Sequence, residues 1–211
     1  IANYEALVTA IDNAKKSIAV YAKIKKYFDG LSTTQLGGIS LATFQAADVY
    51  KHYSDGIVNE VADATTGTYV SLNDVVNEWR TFASNYWKSQ TLSGGEDLTA
   101  FVVNQGFEMD DAGGIKVPAG WTVPFGANEN KTMAVGAASS SEGSWLYNMW
   151  DNSTNQKRLE QSMTGLPKGH YEITAYIQGY DGRTTDLLGI GGASTETASQ
   201  TTTGNNNAHT V

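Results

Sequence analysis

The sequence predicts an α+β protein of two domains, a three-helix bundle over residues 1–93 followed by an antiparallel β-sandwich over residues 98–211. Apolar residues recur every three or four positions through the first domain, which is the spacing of amphipathic helices. That periodicity stops near residue 97, and most of the 22 glycines and all three prolines fall after it. Many short runs bounded by turn residues, with no helices between them, are typical of a sandwich or barrel.

Three helices are predicted from their apolar stripes and end signals. The first ends at residues 29–30 (Asp-Gly), and its predicted buried face consists of Leu7, Ile11, Ala14, Ile18 and Tyr21. The second begins near Ser40 and closes at residues 65–67, with its stripe at Phe44, Ala47, Tyr50, Ser54, Ile57 and Val61. The third opens at Ser71, because a hydroxyl at the cap and the Asp74 carboxylate three residues later satisfy free backbone amides. Its predicted buried face consists of Leu72, Val75, Trp79, Phe82 and Tyr86.

The second domain is predicted to contain strands at residues 98–103, 131–135, 144–150, 158–163, 171–179 and 186–190. Residues 171–177 alternate, so that Tyr171 and Ile173 share one face and Glu172 and Thr174 the other. This pattern is typical of a half-buried antiparallel strand. Residues 191–207 are rich in Ser, Thr, Gly and Asn, and we expect long loops and weak edge strands there.

Composition excludes several classes of function. A net charge of −8 disfavours nucleic acid and anionic membrane surfaces, which both attract clustered Lys and Arg. The absence of Cys excludes disulfides, thiolate catalysis and Cys-ligated metals. No stretch approaches the roughly 18 consecutive apolar residues of a membrane helix, so no membrane insertion is predicted. The chain begins without a signal-peptide pattern and ends in a polar tract, so we expect a mature product truncated at its C-terminus.

Enzyme motifs are not found, and we expect no catalytic activity from this chain. Its three His residues have no metal-ligand spacing, and His52 is predicted to lie at the surface. The one acidic cluster is Glu108, Asp110 and Asp111. Glycosidases need carboxylates on opposing walls of a cleft, whereas these lie on one short segment. Oxygen-rich segments of this kind suit Ca²⁺ better, and the alternative is a solvated turn.

Two segments combine aromatic rings with polar side chains, as sugar binding requires. The candidate carbohydrate-binding residues are Trp145, Asn148, Trp150, Asp151, Tyr180, Asp181 and Arg183. The alternative is structural, because small sandwiches routinely bury Trp, and we expect one of Trp145 and Trp150 in the core and the other at the surface. Trp121 is expected in the core.

The order of three motifs resembles a known family. Residues 101–108 read FVVNQGFE, Gly120-Trp121 follows, and residues 159–171 read LEQSMTGLPKGHY. In the last motif Gly165 and Gly169 flank a turn in which Pro167 fixes φ. This order is similar to galactose-binding-like jelly-roll modules, of the carbohydrate-binding-module type, in secreted and surface proteins of polysaccharide-degrading bacteria. The resemblance implies a jelly roll, an extracellular or cell-surface location and a structural Ca²⁺ site at Glu108.

The function that these patterns favour is a non-catalytic carbohydrate-binding module on a helical spacer, within an exported bacterial glycan-utilisation protein such as a larger glycoside hydrolase. Its partner would be an oligo- or polysaccharide. The alternative is a structural or adhesive surface module that binds protein or assembles with itself. A closing strand is expected after Val211, and its absence would leave an open sheet edge where another protein chain can pair.

Overall fold

The computed structural model describes residues 2–54, 70–110, 117–124, 130–134, 143–149, 159–177, 184–191, 194–201 and 209–210. The chain divides into two compact units. We call Ile1–Ala134 with Ser144–Pro167 the helical unit, and Val135–Gly143 with Lys168–Val211 the strand unit. The sequence-based domain boundaries, 1–93 and 98–211, stay a prediction, because compactness alone does not test which segments fold independently.

Helices dominate the helical unit. They are α1 (Ala2–Asp29), α2 (Thr33–Leu36), α3 (Leu41–Ala46), α4 (Asp48–Ser54) and α5 (Leu72–Lys88), and two 3₁₀ turns follow at Thr99–Phe101 and Glu108–Asp110. The predicted end of the first helix is confirmed, since α1 ends at Asp29 and the Gly30 N–H donates to the Lys26 carbonyl (3.1 Å).

The predicted start of the third helix is confirmed as well. The Ser71 hydroxyl accepts a hydrogen bond from the Asp74 N–H (3.4 Å), and the Asp74 carboxylate accepts one from the Ser71 N–H (2.7 Å). The two side chains thus cap the first turn of α5 reciprocally, which is the arrangement of a capping box.

The second predicted helix is interrupted. Ser40 caps α3 as expected, and its hydroxyl accepts from the Thr43 N–H (3.1 Å). The backbone then becomes extended at Ala47 (ψ 151°), so α3 and α4 are separate helices. The predicted stripe residues Ile57 and Val61 lie outside the described residues.

The core of the helical unit is aromatic. Phe28, Phe44, Tyr53 and Trp79 are buried, and the ring centroid of Phe44 lies 5.1 Å from that of Phe28 and 5.3 Å from that of Trp79. The Trp79 indole N–H donates to the Ala100 carbonyl (2.8 Å), which satisfies the polar atom of a fully buried ring. This bond fixes the chain that follows α5 to the helices.

Residues beyond α5 complete this core. Phe101, Val103 and Met109 are buried and belong to the same hydrophobic cluster as the helical residues. The strand predicted at residues 98–103 is therefore wrong, and the segment forms a 3₁₀ turn at Thr99–Phe101 followed by further turns. Its apolar residues pack against helices, and they do so without a strand partner.

Among the described residues, each strand pairs with one other strand, which gives three two-stranded ribbons. β1 (Asn130–Ala134) pairs with β2 (Trp145–Met149), β3 (Tyr176–Ile177) with β6 (His209–Thr210), and β4 (Thr184–Gly191) with β5 (Ser194–Thr201), all antiparallel. Among the described residues no sheet has more than two strands, whereas a jelly roll packs two larger sheets. The predicted antiparallel β-sandwich of galactose-binding-like jelly-roll type is therefore wrong, and the resemblance to that family does not hold.

Sequence alternation located some strands and not others. The strands predicted at residues 131–135, 144–150 and 186–190 coincide with β1, β2 and β4. The run at 158–163 forms one isolated bridge, between Thr122 and Glu160. The run at 171–177 is strand only at its last two residues, and Tyr171 and Ile173 are exposed. Alternation yields a strand only where a neighbour accepts the backbone hydrogen bonds.

Candidate functional site

Most of the predicted sugar-binding residues lie outside the part of the chain that the structure describes, namely Trp150, Asp151, Tyr180, Asp181 and Arg183. Trp145 begins β2 opposite Ala134 and is partly buried. Asn148 lies opposite Lys131 in the same ribbon, and its side chain is outside the described set. The predicted carbohydrate site around these residues stays a prediction.

Glu108, the predicted calcium ligand, holds the start of β2. Its Oε1 accepts hydrogen bonds from the Ser144 N–H (2.6 Å) and the Trp145 N–H (2.9 Å). These two donors satisfy that oxygen without a cation, since charge-assisted bonds from backbone amides are strong. No group of three or more acidic, His or Cys side chains is found within the described residues, and Asp111 and the Asp110 side chain lie outside them.

The Asn-x-Gly-Phe-Glu motif folds around Asn104, which is buried and has φ 54°. The side chain donates from Nδ2 to the Ala119 carbonyl (3.1 Å) and accepts at Oδ1 from the Met109 N–H (2.9 Å). The Asn104 carbonyl accepts from the Trp121 indole (3.1 Å). Asn tolerates positive φ and carries both a donor and an acceptor, so this residue type suits the turn. The motif is structural, and Trp121 is only partly buried.

The first part of the third motif, residues 159–167, packs within the helical unit, and the motif forms no hairpin of paired strands. The Gln161 amide makes two bonds to Val103, accepting from its N–H (2.8 Å) and donating to its carbonyl (2.9 Å). Gly165 has φ 78° and lies so close to Ser84 of α5 that a Cβ would collide with the hydroxyl. The glycine is therefore needed for close approach to a helix.

An open groove of about 1020 Å³ lies between α5 and the α3–α4 pair. The α5 wall consists of Asn77, Glu78, Thr81, Phe82, Asn85 and Tyr86. The facing wall carries Ala42, Ala46, Ala47 and Asp48 among its residues. The α5 residues repeat every four positions, so they form two adjacent rows along about 13 Å of helix. The facing wall is made largely of small side chains, which leaves the rows of α5 open.

Aromatic rings and amides lie in adjacent rows on the α5 wall. Phe82 and Tyr86 are half-buried and form one row, and Asn77 and Asn85 are exposed in the other. Phe82 is held from behind by Phe44, whose ring centroid lies 5.7 Å away. Among the described residues no protein partner is found for the two amides or for the Tyr86 hydroxyl, so these groups are available to a ligand.

Glu78 sets the charge of the groove together with Asp48, since no basic side chain is among the lining residues. The Glu78 carboxylate accepts from the Tyr53 hydroxyl (2.9 Å) and bonds to His52 Nδ1 (2.9 Å). His52 Nε2 in turn lies 2.8 Å from the Tyr21 hydroxyl. Burial, reinforced by the Glu78 charge, raises the pKa of Tyr53. Predicted as a surface residue, His52 instead links α1, α4 and α5.

The apolar spacing predicts Phe82 and Tyr86 on the buried face of the third helix, whereas both are half-buried and line the groove. A usable signal exists in the row of Asn77, Thr81 and Asn85, which repeats every four residues directly beside the aromatic row. Trp121, Ser71 and Asn73 are among the residues that line a smaller groove of about 410 Å³.

Comparisons with protein-family models, with curated proteins and with solved structures return no match. Within the described ranges, no helix has the length and apolar content that crossing a membrane requires.

Proposed function

We propose that this chain is a non-catalytic carbohydrate-binding module and that the groove between α5 and the α3–α4 pair holds a neutral glycan. The observation that carries the proposal is the placement of Phe82 and Tyr86 beside Asn77 and Asn85 in one open groove. The C–H face of a pyranose packs on an aromatic ring, while its hydroxyls need side chains that both donate and accept hydrogen bonds. Amides and a phenol meet that need.

The charge of the groove narrows the ligand class. Asp48 and Glu78 are the charged lining residues, and both are acidic. A uronic or sulfated sugar would bring like charge against these carboxylates, which is unfavourable in a partly desolvated groove. Neutral hexose oligomers carry no such cost.

A binding role agrees with the way the groove carboxylate is used. Glu78 is engaged by His52 and Tyr53 through hydrogen bonds of 2.9 Å. These bonds orient the carboxylate as part of the wall and join α4 to α5. The proposed setting is a larger exported bacterial protein, such as a glycoside hydrolase, at the cell surface or outside the cell, where polymeric glycans are met.

Affinity electrophoresis through neutral and acidic polysaccharides tests the groove. We expect retardation by a neutral glycan, which Ala46→Arg abolishes because the new side chain fills the groove. Tyr86→Ala weakens binding about tenfold, as the loss of one aromatic contact of about 1.5 kcal/mol implies. Ala19→Arg, on an exposed position of α1, is the matched control and leaves binding unchanged.

Three outcomes count against the groove. Binding to acidic glycans alone would contradict its charge, and no binding to any glycan would remove the proposed function. Binding that survives Ala46→Arg but is lost in Trp145→Ala or Trp150→Ala would move the site to the segments predicted from sequence. Circular dichroism of each variant separates loss of a site from loss of the fold.

Structural Ca²⁺ at Glu108 stays a separate proposal. A cation that binds only the native state raises the melting temperature, so adding EDTA lowers it if Ca²⁺ is bound. An unchanged melting temperature removes calcium and leaves Glu108 as a cap for β2, held by the Ser144 and Trp145 amides.

The alternative function, a structural or adhesive module that binds protein or assembles with itself, is favoured by a different observation. The first half of α1 exposes several large apolar side chains. Pairing of another protein chain at an open sheet edge also stays a proposal. Among the described residues β1 and β2 pair only with each other, so each has an edge in the helical unit where such a chain could add a strand.

A further inference from the structure

Residues 4–18 of α1 carry an apolar stripe that no other described residue covers. Tyr4, Leu7, Ile11 and Ile18 are 71%, 58%, 45% and 51% exposed. Their spacings of three, four and seven residues place them on one face of the helix, as in the seam of a coiled coil. The stripe from Tyr4 to Ile18 runs along about 21 Å of helix.

The stripe is distinct from the face by which α1 enters the core. That face consists of Ser17, Tyr21, Ile24 and Phe28, all buried. At 3.6 residues per turn the two faces differ by about a third of a turn. Packing of the described residues therefore leaves the stripe open even at Ile18, which lies beside the buried face. A contiguous exposed apolar surface of this kind marks an interaction site.

We propose that this stripe binds the same stripe of a second copy of the chain, antiparallel, with Ile11 opposite Ile11 near the two-fold axis. A surface that is complementary to itself gives a closed two-fold dimer, the commonest symmetry of soluble oligomers. In this register Tyr4 of one copy lies opposite Ile18 of the other. The dimer is independent of glycan binding and would present two grooves to one polymer.

Charge selects a second copy in this orientation. Along α1, Glu5 and Asp12 precede Lys15, Lys16, Lys23, Lys25 and Lys26, and Asp29 follows them and pairs with Lys25. Antiparallel packing brings Glu5 of each copy to the level of Lys15 and Lys16 of the other, and parallel packing would bring like charges together. Antiparallel helices also oppose their macrodipoles favourably.

The strength of the dimer follows from the size of the stripe. One pair of four-turn helix faces buries less than the roughly 1,200 Å² typical of stable specific interfaces. The dimer is therefore weak and dissociates on dilution. Added salt weakens it further, because the Glu5 and Lys15 charges are exposed and screened.

Cysteine cross-linking tests the register, since the natural chain has no Cys. We expect full-length Tyr4→Cys and Ile18→Cys to form a disulfide dimer when the two variants are mixed and oxidised, and to form little when each is oxidised alone. The matched control is the pair Thr9→Cys and Asn13→Cys, which is also symmetric about residue 11 but lies on the opposite face. This control pair forms no mixed dimer above the level expected from random collision.

Charge reversal supplies a second readout. Glu5→Lys weakens association, and combining it with Lys15→Glu and Lys16→Glu restores it, because each copy contributes both ends. Cross-linking of each single-Cys variant with itself would show a parallel pair and overturn the proposal. A chain that stays monomeric at every concentration would also overturn it, and resistance of Tyr4→Cys and Ile18→Cys to a thiol reagent would then show that the same chain covers the stripe. Equal cross-linking of the control pair would also overturn it.

Discussion

The two halves of α1 have similar apolar content but differ in how far their apolar side chains are buried. Leu7 and Ile11 in the first half are about half exposed, whereas Tyr21, Ile24 and Phe28 in the second are buried. The buried half meets α4, α5 and the turns that follow α5. Amphipathic periodicity therefore shows that a face is apolar, and neighbouring segments decide whether that face is covered by the same chain.

Truncation of one residue in each half gives the largest contrast. Ile24→Ala should lower the free energy of unfolding by about 2–5 kcal/mol, because it opens a cavity in a closely packed core. Ile11→Ala should change it by less than about 0.5 kcal/mol in dilute solution, as surface substitutions do. Urea denaturation at low protein concentration measures both. Equal losses would show that the first half is also buried in the monomer.

Asn104→Ala extends the contrast to the turns that cover the second half of α1. The substitution leaves the Ala119 carbonyl and the Met109 N–H without their side-chain partners, and it places alanine, which disfavours positive φ, at φ 54°. We expect a loss of about 1–3 kcal/mol, the cost of unsatisfied buried groups. Asn73→Ala, at an exposed position of α5, is the control. A neutral Asn104→Ala would mean that these turns do not support the core.

Loss of the N-cap of α5 should lower the free energy of unfolding by less. Ser71→Ala removes the hydroxyl that accepts from the Asp74 N–H, and loss of an N-cap costs about 1 kcal/mol. Ser71→Asp retains an acceptor and should recover most of the stability. The two midpoints in urea measure the difference, and identical midpoints for both variants would argue against the capping box.

Raising the pH from 8 to 10 is expected to change the free energy of unfolding least. Burial raises the pKa of Tyr147 to about 12, and burial also raises the pKa values of Tyr27 and Tyr53. Below the ordinary tyrosine pKa of about 10, folded and unfolded chains are both protonated, so these groups do not change stability. Above pH 10 the unfolded chain loses protons first, and stability falls as pH approaches 12. Phenolate absorbance from all 11 tyrosines in the folded protein at pH 10 would contradict this burial.

Local signals in the sequence predicted local structure well. Asp29-Gly30 marked the end of α1, and Ser71 with Asp74 marked the start of α5, because caps depend on neighbours within one turn. The turn motifs, in contrast, are predicted to lie in a β-sandwich and are found packed against helices. Asn104 and Gly165 require their special backbone conformations in order to pack against helices, and the sequence does not show which surface a turn meets.

The candidate site depended on contacts that are distant in sequence. The apolar spacing predicts Phe82 and Tyr86 in a buried stripe. Both are open to the groove, because the facing residues Ala42 and Ala46 of α3 are small. His52 bonds Glu78, 26 residues away, and no local pattern reports that pairing. The β-sandwich failed for the same reason, since alternation in residues 171–177 does not supply the partner strand.

Sedimentation equilibrium of the full chain, over a hundredfold range of concentration, measures whether the first half of α1 is an interaction surface. The predicted result is a monomer–dimer equilibrium for the natural chain. Ile11→Glu should be monomeric with an unchanged melting temperature at low concentration, and Thr9→Glu on the opposite face should behave like the natural chain. A natural chain that remains monomeric throughout, or an Ile11→Glu variant that dimerises equally well, would contradict the assignment of this face.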